Sequence, residues 1–210
     1  MNTLTVLRLD RDRELTGDIV PETYFRCQAL RELTYPWASN DFERQLTEVR
    51  AAWTDKFLYF HLWAKDSWIV GRETKPKGRV YEDDCLEVFL MPGGDRYWGW
   101  EINPLGTQLD YLASGWGEGP VEEKHIDSSW KSVATRKVRA HDAGWVVELR
   151  IPLAKDLEQA PRRGQTWNAA FNRIDVDRQG RSSLSTSSTL AADGPVWFHQ
   201  PPGFGQLVFG

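Results

Sequence analysis

Two carboxylates and an amide stand in adjacent runs of alternating residues within positions 81–111. Glu87 interrupts the apolar run of residues 85–90, and Glu101 and Asn103 lie two positions apart in the next run. Carboxylate and amide groups held on rigid strands offer acceptors and donors at fixed spacing, which suits the neighbouring hydroxyls of a sugar. The pattern predicts either such a binding face or an ordinary solvated sheet face, and alternation alone leaves both open.

The alternation of side chains along a β-strand assigns these positions to faces. The apolar positions share one face, and we predict that they lie in the core: Leu86, Val88, Leu90, Trp98, Trp100 and Ile102. Glu87, Glu101 and Asn103 then converge on the opposite side. Asp110 joins them if the register of the following strand places it there, and the sequence does not fix that register.

Turn signals between strand-like runs predict the fold. Pro and Gly at 92–95 and 103–106 separate three runs, which indicates a meander of three strands. Two hairpins are predicted, 47–53 with 57–64 and 130–140 with 144–151. Further strands are predicted at 4–9, 23–29, 166–175 and 205–209, with one helical turn at 152–157 and long loops at 65–79, 114–129 and 176–195. We therefore predict an all-β fold: a single-domain antiparallel β-sandwich over residues 1–210, immunoglobulin-like or jelly-roll-like, with about ten strands and little helix.

The composition of the chain indicates a globular protein and argues against a nucleic-acid-binding or membrane protein. The chain has 210 residues, of which 40% are hydrophobic and 27% charged, as in a soluble globular protein. A net charge of −4 and the lack of a long apolar run lead us to expect neither a nucleic acid nor a membrane as partner. The first fifteen residues lack the apolar region of an export signal. The sequence as written therefore predicts a cytoplasmic protein, or an extracellular or periplasmic one if a leader was removed.

The aromatic residues and the cysteines are predicted mainly to be buried. Eleven Trp residues are many for this length; most are expected to pack in the core, and some could stack on a flat ligand. Cys27 and Cys85 form neither a disulfide framework nor a metal-site spacing. Two buried free thiols are predicted in preference to one bridge between strands.

An ordered set of short segments resembles the family-nine carbohydrate-binding modules, a branch of the DOMON-like β-sandwich group. The similar segments are 51–59 (AAWTDKFLY), 81–90 (YEDDCLEVFL), 101–106 with Asp110, 144–152 (GWVVELRIP), 164–173, and Trp197 with 204–205. No single segment is specific, but together they occur in the expected order. The resemblance implies non-catalytic binding of a mono- or oligosaccharide.

The resemblance also implies roles for individual residues. In the family, two aromatic side chains clamp a sugar ring, and carboxylate, amide and basic groups bond its hydroxyls. By position, Tyr81 and Trp197 take the aromatic roles, and Glu87 and Asn103 are among the polar ones. Two further positions complete the predicted ligand-binding set. Arg173 matches a basic position that either bonds the ligand or pairs with a carboxylate, and Glu101 stands where the best-known members carry a basic residue. The exact sugar preference of those members therefore does not carry over.

Three other functions remain open from the sequence. Glu87 with Glu101 or Asp110 could serve a glycoside hydrolase, but nothing in the sequence would raise the pKa of one carboxyl and not the other. Haem binding, known among DOMON-like relatives, is disfavoured because Met91 is the sole internal Met and the histidines are scattered. The third alternative is a protein-interaction surface formed by exposed aromatic residues: Trp37, Trp68 and Trp116.

A structural calcium ion, which occurs in the family, is the one cofactor considered. Asp66 and the acidic run 82–84 carry the oxygen ligands that calcium prefers. No contiguous loop has a calcium-binding spacing, and acidic residues at the start of a strand are usually solvated. Metal ligands are therefore left unassigned, and no other cofactor is predicted.

Overall fold

The structure of the protein is a computed structural model that describes residues 2–31, 33–38, 42–117 and 121–210. Twelve strands are formed within these residues: β1 (Thr3–Arg8), β2 (Thr47–Trp53), β3 (Phe57–Lys65), β4 (Cys85–Gly93), β5 (Arg96–Ile102), β6 (Gln108–Ser114), β7 (Ile126–Asp127), β8 (Thr135–His141), β9 (Gly144–Pro152), β10 (Thr166–Val176), β11 (Ser182–Thr186) and β12 (Gly205–Phe209). Helix is confined to single turns at Glu22–Tyr24, Val80–Glu82, Glu123–His125, Leu153–Leu157 and Pro201–Gly203. The predicted all-β class is confirmed.

Strand β1 joins two layers. The strand order is β7-β6-β5-β4-β10-β12-β1-β2-β3-β9-β8, with β11 paired to β10. Thr3 to Val6 pair with β12, whereas Leu7 and Arg8 pair with β2. We call β4–β7 with β10–β12 the first sheet, and β2, β3, β8 and β9 the second sheet.

The two pairings of β1 are parallel, while every other strand pairing among the described residues is antiparallel. The prediction of a purely antiparallel sandwich is thus wrong at β1. The reason is topological: β1 lies between β12 and β2, and residues 9–46 connect it to β2 in place of the tight turn of an antiparallel hairpin.

The main core lies between the two sheets. All six predicted core residues of β4 and β5 are buried in it, and Phe60 of the second sheet packs against Phe171 of the first with ring centroids 5.5 Å apart. Burial of apolar surface on this scale supplies the dominant favourable term for folding. The alternation seen in the sequence therefore assigned this face correctly.

The outer face of the first sheet carries a second apolar cluster. Cys85, Phe89, Tyr97 and Tyr111 project from its strands, and side chains from loops, such as Phe198, cover them. This arrangement leaves room for a cleft on that face, which is described below.

The predicted hairpins and the helical turn at 152–157 are confirmed. The prediction of a strand at 23–29 is wrong. The chain forms a 3₁₀ turn at Glu22–Tyr24, because Tyr24 and Cys27 both turn inward onto Tyr59 on the outer face of the second sheet. β11 falls within the predicted loop 176–195, and part of the loop 114–129 lies outside the described residues.

Both cysteines are free and buried, as predicted. None of the helical segments within the described ranges has the length and apolar character needed to cross a bilayer. The interpretation of residues 1–210 as one domain stays a prediction.

Candidate functional site

A cleft of about 610 Å³ opens on the outer face of the first sheet. Four of the six predicted ligand-binding residues line it: Tyr81, Glu87, Glu101 and Trp197. They come from two strands, a 3₁₀ turn and a loop that are distant in sequence. The structure thus brings together most of the predicted set, and it places the other two residues elsewhere.

The floor of the cleft holds the two glutamates. Glu87 on β4 and Glu101 on β5 are directly opposite in the strand register, and they are 2% and 4% exposed. An oxygen of each carboxyl and the Cys85 sulfur lie within 4.8 Å of one another. Opposed residues of an antiparallel pair have close Cβ atoms, so two like charges here would repel each other.

The two carboxyls differ in their hydrogen bonds. Glu87 accepts one from Asn172 on β10, at 3.0 Å. Oxygen Oε2 of Glu101 is buried and makes no hydrogen bond of normal geometry among the described residues. The Tyr111 hydroxyl lies near enough to this carboxyl to offset part of the rise in its pKa that burial causes. A buried acceptor that lacks a partner in the free protein is available to a ligand.

Burial sets the protonation of this pair. It raises the pKa of Glu101 to about 7, because the charged form is poorly solvated there. Burial also raises the pKa of Glu87 well above its usual range, and the nearby charge of Glu101 adds to the effect. The pair therefore retains at least one proton near neutral pH.

Basic residues do not neutralise the pair. Lys77 and Arg79 also line the cleft. The Lys77 ammonium is held by Asp110 at 2.8 Å, and the Arg79 guanidinium by Glu82 at 3.1 Å. Among the residues that the structure describes, no ion pair to either floor glutamate is formed.

Tyr111 forms the part of the floor next to Glu101. It is paired with Gly99 in the β5–β6 register, and its ring lies so close over Gly99 that a Cβ atom there would overlap it. Glycine at position 99 therefore lets the Tyr111 ring lie in the cleft.

Two aromatic side chains stand at the rim, where Tyr81 is 44% and Trp197 38% exposed. The Trp197 indole nitrogen donates to the Val121 carbonyl at 3.2 Å, and the ring contacts His199 with centroids 4.2 Å apart. His199 is in turn bonded to the Tyr97 hydroxyl, and burial lowers its pKa to about 3. Trp197 thus rests on a neutral, fixed imidazole.

Asn103 does not line the cleft. Its side-chain oxygen accepts from the backbone N–H of Leu105 and of Thr107, at 3.1 and 2.9 Å. Its amide nitrogen donates to the Glu73 carbonyl and to Asp83, both at 2.9 Å. The side chain is buried and closes the turn between β5 and β6, which is a frequent use of Asn.

Arg173 also lies away from the cleft, on the face of β10 that points toward the second sheet. Its guanidinium donates to the Lys65 carbonyl at 2.8 Å and to Asp66 and Asp175 at 3.2 and 2.9 Å. Of the two roles considered for it, the structure shows carboxylate pairing. Asp110 is opposite Trp100 in the register and so points to the core side, away from Glu101.

The acidic residues considered for calcium are occupied by donors of the protein itself. Asp66, Asp84 and Asp175 place oxygens within 4.8 Å of one another. Arg173 bridges two of them, and Asp84 accepts from two backbone N–H groups at 2.6 and 2.7 Å. Asp83 accepts the N–H groups of Arg72 and Glu73, both at 2.8 Å. This set of oxygens, already bonded to a guanidinium and to backbone N–H groups, does not fit a calcium ion.

The sequence reasoning missed Asn172, Tyr111 and His199. Asn172 lies within the segment 164–173 that the resemblance had marked. That it faces Glu87 follows only from the register of β10 with β4, which the sequence does not give. Tyr111 closes the patterned stretch, but its role depends on Gly99. No sequence pattern marked His199, because the residues that it contacts lie on β4 and β5, far away in the sequence.

Comparison with known proteins identifies the family of the chain. A family profile described as carbohydrate-binding family 9 matches residues 23–209. The chain belongs to that family. The resemblance seen in the sequence is therefore confirmed, while a search of curated proteins finds no match.

Solved structures related to this family 9 chain share its fold. A protein of Bacteroides uniformis ATCC 8492, proposed to bind carbohydrate, has a TM-score of 0.74 at 21% identity and covers 99% of both chains. A family 9 module of Caldicellulosiruptor kristjanssonii in complex with glucose has a TM-score of 0.68 at 17% identity, over 100% of this chain and 96% of that one. A family 9 module of the same organism in complex with cellotriose has a TM-score of 0.69 at 16% identity, over 99% of this chain and 93% of that one.

Proposed function

We propose that the protein binds a mono- or oligosaccharide, without chemical conversion, in the cleft on the first sheet. The observation that carries this is a buried polar floor, Glu87 and Glu101, beneath two half-exposed aromatic residues, Tyr81 and Trp197. Membership of a carbohydrate-binding family and the glucose and cellotriose complexes of a related module support the same conclusion.

Each part of the cleft has a role in this proposal. The rings of Tyr81 and Trp197 stack on the C–H faces of a pyranose, which buries apolar area. Glu87, Glu101 and Tyr111 bond hydroxyls at the floor and fix the orientation of the ring. Asn103 and Arg173 act on the scaffold and do not touch the sugar. A single small ligand buries little area, so the affinity is modest.

Hydrolysis is disfavoured by the geometry of the floor. A glycosidase places its two carboxyls on either side of the scissile bond, about 5–10 Å apart. Here Glu87 and Glu101 lie side by side on one face of the sheet, with an oxygen of each within 4.8 Å of the other. Release of reducing sugar that disappears in a Glu87→Gln variant would favour an enzyme instead.

A protein-interaction surface is less well supported. Trp37 and Trp116 are partly buried against the outer-face cluster, and Trp68 lies under the Arg178 guanidinium at 4.9 Å. These three residues therefore do not form one exposed apolar patch.

Calorimetric titration with a panel of mono- and oligosaccharides at millimolar concentration tests the proposal. We expect saturable binding that Trp197→Ala removes and Trp68→Ala retains, because Trp68 is exposed but lies outside the cleft. Failure of every sugar, with unchanged Trp fluorescence, would overturn the proposed function.

A further inference from the structure

The floor of the cleft brings two carboxyl groups closer together than a neutral sugar requires. Glu87 and Glu101 are buried, face each other and have no ion pair among the described residues. Oxygen Oε2 of Glu101 makes no hydrogen bond of normal geometry within those residues, although the side chain lines the cleft. A buried acidic pair of this kind is unsatisfied in the free protein unless it shares a proton or receives a cation.

We propose that the preferred ligand is an amino sugar, whose protonated amine binds between the Glu87 and Glu101 carboxylates. The proposal rests on the proposed function, since it assigns the chemical class of sugar that the same cleft takes.

An ammonium group meets the needs of this floor better than a hydroxyl does. It supplies three donors and one positive charge, so it can bond both carboxylates at once and remove their repulsion. Aromatic rings attract a cation that lies over their face, and Tyr111 and Trp197 line the same cleft. A neutral hydroxyl offers one donor and no positive charge, so it does not offset the repulsion that opposes ionisation of both carboxyls.

A divalent metal ion is the competing cation, and the floor suits it less well. The third group that could bind a metal ion beside the two carboxyls is the Cys85 thiol. Burial raises the pKa of this thiol well above its usual range. A protonated thiol is a poor ligand, because metals bind the thiolate.

Tyr97, Tyr111 and His199, which surround the pair, keep the same charge near neutral pH. Burial raises the pKa of Tyr97 and Tyr111, and lowers that of His199 to about 3. Lys77 and Arg79 are already in ion pairs, and Glu123 stands exposed at the rim. Binding of an amine should therefore follow ionisation of the floor pair, and strengthen as the pH rises from 5 until the amine itself loses its proton.

Three disaccharides that differ at carbon 2 alone test the inference: cellobiose, the β-1,4 dimer of glucosamine, and its N-acetylated form. Calorimetry on the full chain at pH 7 and low salt, with EDTA present, should show the glucosamine dimer binding about tenfold tighter than the other two. Glu101→Gln should reduce this ratio to about one. Glu148→Gln, a buried carboxyl of the second sheet outside the cleft, should leave the ratio unchanged.

The outcomes separate the two proposals. Equal or tighter binding of cellobiose overturns the amino-sugar inference and supports the proposed function. A preference that requires an added divalent cation also overturns the inference. Binding of none of the three, nor of any other sugar, overturns both. If Glu101→Gln does not fold, the preference of the wild-type protein among the three sugars decides the matter by itself.

Discussion

Glu87 and Glu101 face each other across the β4–β5 pairing, both buried, on the side of the sheet opposite to the core residues Val88 and Trp100. Because side chains alternate along a strand, the same register that buries the tryptophan brings the two carboxyls together. The stability of the sheet and the acidity of the cleft are thus linked through one pairing.

Loss of the Glu101 proton should make the protein less stable as pH rises. Its folded pKa of about 7 lies above the usual value of 4.5, so the folded state holds the proton more tightly. This contribution to stability is fully present below about pH 4.5 and is lost as the pH rises through about 7. From pH 5 to pH 8, Glu101→Gln should therefore gain stability relative to wild type, by about 1–3 kcal/mol.

Urea unfolding of both proteins at the two pH values measures this difference. Glu158→Gln, an exposed carboxyl, serves as the control and should show no such gain. A difference between Glu101→Gln and wild type that is the same at both pH values would contradict a raised pKa at Glu101.

Gly99→Ala should damage the floor of the cleft. The added methyl group overlaps the Tyr111 ring and must displace it, at a cost of about 1–3 kcal/mol in the free energy of unfolding and with loss of sugar binding. Gly93→Ala is the matched control, because a Cβ atom at Gly93 has open space and no strained φ. Thermal unfolding and calorimetry should separate the two variants; equal behaviour would show that Tyr111 is free to move.

Arg173→Met should be strongly destabilising. The substitution leaves Asp66 and Asp175 buried without their guanidinium partner, which typically costs about 3–5 kcal/mol. Arg139→Ala, which removes an exposed pair with Asp18, should cost less than about 1 kcal/mol. Chemical unfolding measures both, and similar small losses would mean that the buried carboxyls find other partners or protons.

EDTA should leave the melting temperature of the wild-type protein unchanged. Arg173 and backbone N–H groups already occupy the acidic cluster, so removal of free metal takes nothing from the folded state. A fall in melting temperature with EDTA that calcium reverses would show that an ion binds there after all.

His199→Ala should weaken sugar binding by about tenfold without changing the pH at which binding is strongest. His199 supports the Trp197 ring, and with a pKa of about 3 it stays neutral between pH 5 and 8. His199→Phe keeps a flat ring under Trp197 and should restore most of the affinity. If the alanine variant binds normally, Trp197 is held by Val121 and its loop alone.

The faces of β4 and β5 could be predicted from the sequence because alternation is a local property. Leu86 and Glu87 differ in environment by one position, and strand geometry alone separates them. The distant pairing of Tyr81 with Trp197 at one cleft came from the resemblance, since no local rule connects positions so far apart.

The roles of Asn103 and Arg173 could not be predicted from residue type. Both side chains could bond the hydroxyls of a ligand, yet each forms its hydrogen bonds with partners in other segments of the protein. Asn103 closes a turn and reaches Asp83, twenty positions away, and Arg173 meets Asp66 across the layers. Whether a polar side chain serves the scaffold or a ligand depends on such long-range contacts.

Strand β1 has a consequence for how the chain folds. Thr3 pairs with Gln206 in the first sheet, and Arg8 pairs with Trp53 in the second. A contact between residues so distant in sequence carries a large loop-closure cost and is typical of slowly folding β proteins. During synthesis the first residues must wait for the last strand, β12, to leave the ribosome before the first sheet can close. Until then, β1 can pair with β2 alone, and residues 166–169 of β10 lack their partner strand on one edge.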